Sequence, residues 1–443
     1  MTNLSGYKKV VGGALVLASS FTLVACSNNG NNSSNGGDSG SNDDNKAPVE
    51  LTFWHAMNGP HQEEITKLVA AFNDSQEDYK VVEQNQGDYD TLQQSIMAAG
   101  ASGDLPTLAQ ITPGNAPDYA KNSLLVALDD LMTGDTGFSQ EKLDDIYPGF
   151  LDSSKYDGKT YAFPFSKSTR IMYYNQSFLD EYDVEVPKTW GEVVALGEKM
   201  TSNSDDRVAM GFENSFEMEY ETIAKQAGAK FIEPETLETD IAGDKSVEAL
   251  QFVMDLIDKG YARTAGEDGY FSGPFARGES SLYIGSSAGV SHVAEPAEES
   301  GIEWRTAEIP TYNDSQLTLF AGNDLGIFSS ASEEQQAGGM AFIKFLLEPA
   351  NTAEWAMATG YVPIRKSAQD EQDYKDYIAE HPEYEAANKE LAYGQSETSF
   401  VGFGQFRNVL LETLDNVLSN NADVKESLQS LEDQTKTIIT DNN

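Results

Sequence analysis

From Val49 onward, the chain alternates between hydrophobic patterns with the two-residue period of a strand and patterns with the 3.6-residue period of a helix. The strand pattern VELTFWHAM is followed by a helical pattern over residues 62–75, the strand pattern YKVVEQN, a helical pattern that closes on Gly103, and the short apolar pattern PTLAQI. Because parallel strands need crossover connections, usually helices, this order predicts a parallel, doubly wound α/β lobe.

A second series of the same kind begins with the strand pattern FPFSKSTRIMYYN, residues 163–175. It continues with a helix that starts after Thr189, the strand VAMGF, a helix that ends at Gly260, and the strands SSLYIGSS, IEWRTAEIP and LGIFSS. A further helix, EEQQAGGMAFIKFLLEP, precedes a mainly helical segment with the patterns FRNVLLETLDNVLSN and DVKESLQSLEDQTKTII, and we find no internal repeat. The chain is therefore predicted to form two α/β lobes with a helical C-terminal tail.

The first residues have the pattern of a secretory signal. Lys8 and Lys9 precede an apolar run over residues 10–25, which is too short and too rich in small residues for a membrane span. Its last residues, LVAC, resemble the bacterial lipobox, in which the peptide is cut before the cysteine and the cysteine thiol takes the lipid. We therefore predict a signal peptide at residues 1–25 and lipidation at Cys26, the alternative being an ordinary signal peptide with a chance cysteine.

A polar segment follows the predicted signal. Residues 27–46, SNNGNNSSNGGDSGSNDDNK, hold no aliphatic or aromatic side chain, so burial cannot offset their chain entropy, and we predict a flexible linker over residues 26–48. After Val49 no apolar run is long enough to span a bilayer. The expected protein is a globular body tethered by lipid to the extracellular face of a cell membrane, of the Gram-positive type.

The charge balance and the counts of cysteine and histidine argue against nucleic-acid binding, an intramolecular disulfide and a metal site. The chain has 72 acidic and 29 basic residues and a formal net charge of −43, which argues against nucleic acid as a partner. Its single cysteine rules out an intramolecular disulfide. We predict no metal site, because the four histidines lack metal-ligand spacing; they are His55, His61, His292 and His381.

Catalytic sequence motifs are also missing. No Walker motif, GxSxG elbow, HExxH helix or dinucleotide fingerprint occurs, so we predict a protein that is not an enzyme and uses no cofactor. A surface glycosidase remains an alternative, because spacing along the chain does not report a pair of carboxylates at the catalytic separation. A structural lipoprotein or adhesin is a further alternative, and the alternating α/β pattern argues against it.

Aromatic and small polar residues cluster near the carboxyl ends of the predicted strands, which line the ligand crevice in open α/β sheets. Flat apolar faces together with hydroxyl and backbone groups suit a sugar-like ligand. Any one of these residues could instead be a core residue, so the prediction rests on the set: Phe53, Trp54, His55, Tyr89, Ser286, Ser287, Gly322, Asn323 and Tyr361.

At this point the sequence resembles a known family. The segments that carry the resemblance are FWHAMNG, FNDSQEDYKVV, GDYDTL, PFSKSTRIMYYN, PKTWGEV, FARGESSLYIGSSAG, EPANTAEWAMATGYVPI and QFRNVLLETLDNVL. They occur in the order found in the extracellular solute-binding lipoproteins of carbohydrate-type ABC importers, and the nearest likeness is to the glycerol-3-phosphate-binding proteins. The resemblance covers residues 51–439 and implies a monomeric receptor that passes a small solute to the permease subunits of an importer.

The resemblance also implies a fold of the type II periplasmic-binding-protein kind, in which two lobes close over the ligand by a hinge motion. The N-terminal lobe would hold residues 49–168 and 312–348, and the C-terminal lobe residues 172–309 and 351–440. The chain would cross between the lobes at about 165–175, 309–312 and 349–351.

Site residues follow from the resemblance position by position. It implies ligand contacts from the residues that match the family motifs: Tyr89, Ser168, Ser286, Ser287, Gly322 and Tyr361. Phe212 matches an aromatic residue, tryptophan in the family, that stacks on the ligand from the second lobe. Two positions depart from the family pattern, since Pro113 stands in place of a glutamate that binds glycerol hydroxyls and Ser399 in place of the arginine that binds phosphate.

The strand at residues 163–175 carries two cations, and because alternate side chains of a strand point to opposite faces, we predict different roles for them. Ser168 and Arg170 share one face, while Lys167 points to the other. We therefore predict that Arg170 faces the ligand and that Lys167 is a surface or salt-bridged residue, the alternative being that Arg170 merely pairs with a carboxylate. The ligand is predicted to be glycerol-3-phosphate or a glycerophosphodiester, and a neutral mono- or oligosaccharide is the alternative.

Overall fold

The computed structural model describes residues 47–133, 137–203 and 206–442. The predicted signal peptide, Cys26 and the linker up to residue 46 lie outside these residues. In the part of the chain that is described, none of the helices combines the length and apolar character needed to cross a bilayer.

The strands occupy the following ranges: β1 (Val49–His55), β2 (Tyr79–Asn85), β3 (Leu108–Ile111), β4 (Lys155–Tyr156), β5 (Lys159–Thr160), β6 (Phe163–Asn175), β7 (Val208–Phe212), β8 (Ala262–Thr264), β9 (Ser280–Ser286), β10 (Trp304–Ala307), β11 (Thr318–Ile327) and β12 (Gly394–Ser396). The strand patterns VELTFWHAM, YKVVEQN, VAMGF and SSLYIGSS are each confirmed to within two residues.

The helices occupy the following ranges: α1 (Gly59–Ser75), α2 (Tyr89–Ser102), α3 (Ala116–Lys121), α4 (Asp129–Thr133), α5 (Gln140–Asp144), α6 (Pro148–Asp152), α7 (Gln176–Glu181), α8 (Trp190–Ser202), α9 (Glu217–Gln226), α10 (Asp244–Asp258), α11 (Ser272–Ala276), α12 (Val290–Ser300), α13 (Glu333–Leu346), α14 (Pro349–Thr359), α15 (Gln372–Glu380), α16 (Glu385–Glu390), α17 (Phe403–Asn420) and α18 (Val424–Asn442). Two helix ends, the end of α2 and the start of α8, are formed by the residues that the sequence predicted. Gly103 ends α2 in the left-handed conformation at φ 84°, and Thr189 forms a capping box with Glu192 at the start of α8.

One mixed sheet runs through the molecule in the order β2-β1-β3-β11-β6-β9-β7-β8, with β10 paired to β6 and β12 to β11. The first group, β1 to β3, is parallel, and so is the second group, β7 to β9. Between them lie β11 and β6, which are antiparallel to each other and to the groups they join. The predicted parallel pattern therefore holds within each group and is interrupted where the groups meet.

The long strand β6 belongs to both groups. Its first part, from Phe163 to Thr169, pairs with β11, and its later part, from Arg170 to Tyr174, pairs with β9. Nearly every residue of β6 is buried, including both of its cations. The burial of almost the whole strand explains its almost continuous apolar and small-residue character.

Two large aromatic-rich core clusters support the sheet, the first centred on β1 and α13 but extending to Phe275 and Tyr283 of the second group. In the first, Phe342 of α13 packs against Phe53 of β1 and Phe72 of α1, at ring-centroid distances of 5.5 and 5.1 Å. In the second, Trp190 and Leu410 lie in one buried cluster with residues of β7, α10 and α18. Burial of each such side chain contributes roughly 1.5–3 kcal/mol. Helices α17 and α18 therefore belong to the second core and do not form a detached tail.

The lobe boundaries at about residues 168–172, 309–312 and 348–351 remain a prediction. Helix α14, which they assign to the second lobe from residue 351 onward, packs beside α1 of the first group, with the rings of His61 and Trp355 6.4 Å apart. Trp355 also stacks on Phe165 of β6 at 4.9 Å. By contrast, α17 and α18 pack in the second core.

Candidate functional site

Two of the tyrosines singled out in the sequence meet at one point of the fold. Tyr89 begins α2, directly after β2, and Tyr361 follows α14, so 272 residues separate them along the chain. Their hydroxyl oxygens lie 3.4 Å apart, and Asn323 of β11 donates a hydrogen bond of 2.7 Å from Nδ2 to the Tyr89 hydroxyl. Burial raises the pKa of Tyr89 and, more strongly, that of Tyr361, so both groups are neutral phenols that can donate and accept.

The Asn323 carboxamide has a free acceptor at this point. Its side chain is fully buried, and Oδ1 has no hydrogen-bond partner among the described residues. The ring of Tyr361 stacks on Trp355 at 5.9 Å and 12°, which fixes the ring while its hydroxyl points to Tyr89. The arrangement joins fixed hydroxyls, an amide oxygen and aromatic faces, the combination that binds polyhydroxylated ligands.

Gly322 lies next to Asn323 and approaches β6 closely. Its φ of +105° lies in a region that favours glycine, and a Cβ there would lie 1.8 Å from the carbonyl oxygen of Ser166. A bulge between Asn323 and Asp324 shifts the register at this point of the β11–β6 ladder. Only glycine therefore fits the backbone that presents Asn323 to the tyrosines.

The predicted serines approach the same region from β6 and β9. Ser168 is buried in β6, and the Ser287 hydroxyl accepts a hydrogen bond of 3.4 Å from the backbone of the next residue, Thr169. Ser286 caps the turn after β9 by accepting from Ala288 at 3.2 Å. The Ser287 carbonyl also lies against Gly360, the neighbour of Tyr361. The structure thus places Ser287 beside Gly360 and Tyr361, while Ser168 lies in β6 opposite Ala321 of β11.

Phe212 occupies a different environment. Its ring is fully buried at the end of β7, stacked on Trp190 at 6.2 Å and packed beside Phe216 at 6.3 Å. The apolar strand VAMGF carries this residue into the second core, away from the polar residues of the site. Its role as a ligand-stacking ring remains a prediction that the packing does not favour.

Arg170 is buried and paired with two carboxylates. Its Nε donates to Glu219 at 2.6 Å and its Nη2 to Glu213 at 3.2 Å, and the Tyr283 hydroxyl donates to the other oxygen of Glu213 at 2.6 Å. Burial, together with the charge of Glu213, raises the pKa of Glu219 to about 7, although Arg170 acts to lower it. The positive charge is therefore balanced by the protein, which is the alternative that the sequence left open for Arg170.

Lys167 forms a salt bridge, as predicted from its place on the strand face opposite Arg170, but the lysine is buried and does not lie on the surface. Its Nζ lies 2.5 Å from Asp324 and 3.2 Å from the Ser153 hydroxyl, and both members of the ion pair are almost fully buried. The hydroxyl of Ser154 also donates to Asp324. This network holds β6 to β11 immediately beside Gly322.

A second set of residues, which sequence reasoning missed, lies at the edge of this region. Tyr270 is 71% exposed, and its pKa is raised by partial burial of the hydroxyl and then by the carboxylates of Glu213, Asp88 and Asp90. Asp88 and Asp90 flank Tyr89, so Tyr270 of the second group lies in the electrostatic field of the first. No sequence motif marks Tyr270, and only an exposed aromatic in a turn hints at contact with a ligand.

Arg407 of α17 is the cation at this edge. It donates to Glu217 Oε1 from Nε at 3.0 Å and from Nη2 at 2.6 Å, and its charge also acts on Tyr270. Close to it, burial and then the charges of Glu221 and Glu217 raise the pKa of Glu397 to about 8. Arg407 lies in QFRNVLLETLDNVL, so the resemblance marks its segment but not its role.

We expect Glu397 to make the protein less stable in alkaline solution. Its pKa in the folded protein is above the value of 4.5 for a free glutamate, so its favourable contribution is complete below pH 4.5 and is lost as the pH rises through about 8. At pH 9 the variant Glu397→Gln should therefore have a higher Tm than the wild type, and at pH 4 the two should agree within about 1 °C.

Melting curves from pH 4 to 9 check this expectation, with the exposed substitution Glu141→Gln as the matched control. Titrations elsewhere in the chain cancel in the difference between variant and wild type. Parallel melting profiles for Glu397→Gln and the wild type would contradict the raised pKa.

In the described part of the chain, no group of three or more His, Cys, Asp or Glu side chains is arranged to hold a metal ion. What the described residues assemble is a set of hydroxyl, amide and aromatic groups between two parallel strand groups.

The comparisons with known proteins identify the family. The model of the family described as bacterial extracellular solute-binding protein matches residues 67–383, and the chain belongs to this family. The sn-glycerol-3-phosphate-binding periplasmic protein UgpB of Rhizobium meliloti (strain 1021) is 27% identical over 403 residues, which cover 86% of this chain and 92% of the relative. UgpB of Brucella abortus (strain 2308) is 26% identical over 406 residues, with 87% and 92% covered.

Solved structures confirm the predicted two-lobed α/β fold of the periplasmic-binding-protein kind. UgpB from Mycobacterium tuberculosis in complex with glycerophosphocholine superimposes with a TM-score of 0.78 at 24% identity, covering 89% of this chain and 99% of that one. The cyclic alpha-maltosyl-1,6-maltose binding protein from Arthrobacter globiformis superimposes with a TM-score of 0.77 at 21% identity, covering 89% and 100%. The predicted class, an extracellular solute-binding protein, is confirmed by the family.

Proposed function

We propose that the protein is the receptor of an ABC importer, which binds a small carbohydrate-type solute and passes it to the permease subunits without chemically changing it. The observation that carries the proposal is the network of Tyr89, Asn323 and Tyr361. In it the two tyrosine hydroxyl oxygens lie 3.4 Å apart, beside the unpartnered amide oxygen of Asn323. Such a network matches a polyhydroxylated solute, and the described residues there include no activated nucleophile.

Glycerol-3-phosphate or a glycerophosphodiester is the first ligand class. It is supported by the names of the curated relatives and by the solved complex with glycerophosphocholine. A neutral mono- or oligosaccharide is the second class. It is favoured by Pro113 and Ser399, which stand where the resemblance implies a glutamate and a phosphate-binding arginine.

Closure of two lobes about β6 is part of the proposal, with the lobe boundaries given by the sequence. The strand pairs with β11 through one part and with β9 through the other, as a hinge strand requires. On one side of the site, His61 of α1 meets α12, with its Nε2 3.3 Å from the Ser291 hydroxyl and its ring 5.1 Å from that of His292. These contacts favour the interpretation that the described form is closed.

A lipid at Cys26 would anchor the receptor to the extracellular face of the cell membrane, where it would act as a monomer. The support is the lipobox-like sequence LVAC and the polar segment after it. Incorporation of labelled palmitate that is lost in Cys26→Ala tests the anchor.

A thermal-shift panel tests the receptor function. Residues 47–443, which form one compact unit, are mixed with glycerol-3-phosphate, glycerophosphodiesters, maltodextrins and raffinose-type sugars. Binding to the folded state should raise the Tm, by an amount that grows with ligand concentration above Kd. The variant Tyr361→Phe should weaken binding about tenfold, since it removes one hydroxyl from the network.

Tyr156→Phe is the matched control, because it removes a hydroxyl from the separate β4–β5 ladder. A panel in which no compound shifts the Tm would contradict the ligand class, and formation of a product from any of them would support the glycosidase alternative.

A further inference from the structure

Two histidines meet where helix α1 of the first strand group touches helix α12 of the second. His61 lies in the first turn of α1, and His292 lies in the first turn of α12. Their ring centroids are 5.1 Å apart, at an interplanar angle of 65°. Gly59, which begins α1, packs on the same imidazole, since a Cβ there would lie 3.8 Å from Cε1 of His292. The contact therefore joins elements that the proposed closure brings together.

The imidazole of His61 is buried among neutral groups. Its Nε2 lies 3.1 Å from the carbonyl oxygen of Thr359 and 3.3 Å from the Ser291 hydroxyl. Because a carbonyl oxygen only accepts, the neutral ring carries its proton on Nε2 and donates it to Thr359. The rings of Trp355 and Tyr361 pack near it, at centroid distances of 6.4 and 5.3 Å. A neutral imidazole is well accommodated here, whereas a second proton would bring a charge into this packing.

The charged groups around this contact do not offset such a charge. Along the helices that meet at His61 they are Glu63, Glu64 and Lys67 of α1, Glu295 of α12 and Glu354 of α14. Glu64 and Glu354 are both paired with Lys67, and the other two carboxylates are exposed. In the part of the chain that the structure describes, the ionisable side chain that acts on His61 is His292, and its effect is repulsive.

Burial of His61 and then the charge of His292 lower the pKa of His61 from 6.5 to about 4, although the carbonyls of Thr359 and Ala288 act in the opposite direction. Burial lowers the pKa of His292 as well. In an open form, α12 moves away from α1, the rings regain water, and their pKa values move back toward that of a free histidine. The open form therefore binds protons that the closed form excludes.

The direction of the pH effect follows from this difference in proton binding. Above pH 6.5 the imidazoles are neutral in both forms, and closure has its full strength. As the pH falls from 6.5 toward 4, the open form is protonated first, so the equilibrium shifts away from closure. Ligand affinity falls with it, because it is reduced by the fraction of protein that can close.

We propose that His61 and His292 form a pH-sensitive contact between the two lobes, which favours the closed receptor near neutral pH and releases solute in acidic surroundings. The inference rests on the closure that belongs to the proposed function and adds its regulation by protons. His61 is the main titrating group, and His292 adds repulsion when both rings are charged. An extracellular receptor meets the pH of its medium directly, so this contact would link solute capture to the acidity outside the cell.

Isothermal titration of the full chain, purified in detergent, measures the effect at pH 7.5 and pH 5.0. The probes are glycerophosphocholine and maltose, because neither changes its charge over this range. The wild type should bind its probe at least about tenfold more weakly at pH 5.0 than at pH 7.5, since a pKa difference of one unit between the two forms can change their equilibrium about tenfold.

The decisive variant is His61→Gln, whose amide can still donate to the Thr359 carbonyl but does not titrate. The ratio of its affinities at the two pH values should be about tenfold smaller than the wild-type ratio. Comparing the two ratios removes the contributions of titrating groups elsewhere in the chain. The matched control is His381→Gln, which removes an exposed imidazole beside Glu383 and should keep the wild-type ratio.

Nuclear magnetic resonance of the histidines tests the contact without requiring a ligand. The chain has four histidines, so a ¹³C label at Cε1 gives four signals, which single His→Gln variants assign. In the closed protein the His61 ring should still be neutral at pH 5, because its pKa is about 4. His381 is the internal comparison, since its side chain is 43% exposed.

The outcomes separate the inference from the proposed function. A His61 signal that titrates near pH 6.5, both without a probe and with one, overturns the pH-sensitive contact, and so does a wild-type pH ratio that persists in His61→Gln. If neither probe binds at either pH, the ligand classes of the proposed function are contradicted. In that case the titration of His61 in the free protein decides the inference alone, a neutral ring at pH 5 supporting it and a charged ring overturning it.

Discussion

Replacing Lys167 with methionine is expected to lower the free energy of unfolding by about 3–5 kcal/mol, because it leaves the carboxylate of Asp324 buried without a cation. Both side chains are almost fully buried, and Nζ lies 2.5 Å from the carboxylate. The Ser153 and Ser154 hydroxyls near Asp324 cannot replace a full charge. Urea denaturation at pH 7 measures the change.

The matched control is Lys155→Met, which breaks a pair of similar length with Asp152 on the surface. It should change the free energy of unfolding by about 1 kcal/mol or less, since exposed pairs contribute little. The double variant Lys167→Met/Asp324→Leu should recover most of the loss, because it removes the uncompensated charge as well. Equal losses in Lys167→Met and Lys155→Met would contradict a buried ion pair on β6.

Replacing Arg170 with methionine is the second large expected effect, again about 3–5 kcal/mol at pH 8. The substitution leaves Glu219 and Glu213 facing each other in a buried site without a cation. The pKa of Glu219 is about 7 even beside the arginine, and loss of the arginine raises it further. A group with a raised folded pKa contributes stability below its unfolded pKa and loses it as the pH rises, so the loss should be smaller at pH 5 than at pH 8.

Urea denaturation of Arg170→Met at the two pH values measures this dependence. Arg305→Met is the control, because its pair with Glu303 is exposed and its effect should be small at both pH values. A loss of equal size at pH 5 and pH 8 would contradict the coupling to Glu219. Titrating Arg170→Gln with glycerol-3-phosphate tests the ligand contact predicted from the sequence, and unchanged affinity would remove Arg170 from the site.

The sequence contains the local causes of this fold. Hydrophobic periods predicted β1 to β3 with their crossover helices, and polar and glycine residues marked helix ends such as those at Thr189 and Gly103. It did not contain the order in which distant strands pair. Placing β11 between β3 and β6 depends on tertiary contacts across more than 150 residues, which local propensity does not encode.

The candidate site shows the same division. Tyr89, Tyr361 and Gly322 were predicted from their places after strands and in family motifs, and the fold brings them together. The partners of Arg170 were not predictable, since strand parity gives a direction but not the carboxylate that occupies it. Tyr270 and Arg407 were missed because their importance comes from a shared electrostatic environment and not from any pattern in the chain.

The position of β11 in the sheet has a consequence for the order of folding. This strand lies between β3 and β6 in space, yet it comes after both groups in the chain, so the central ladder cannot close until residues 318–327 have been synthesised. Sheets built from such distant contacts fold slowly, because the loop-closure entropy is lost before the strands gain their partners. We therefore expect closure of the central β3–β11–β6 ladder to be a late step in the folding of this chain.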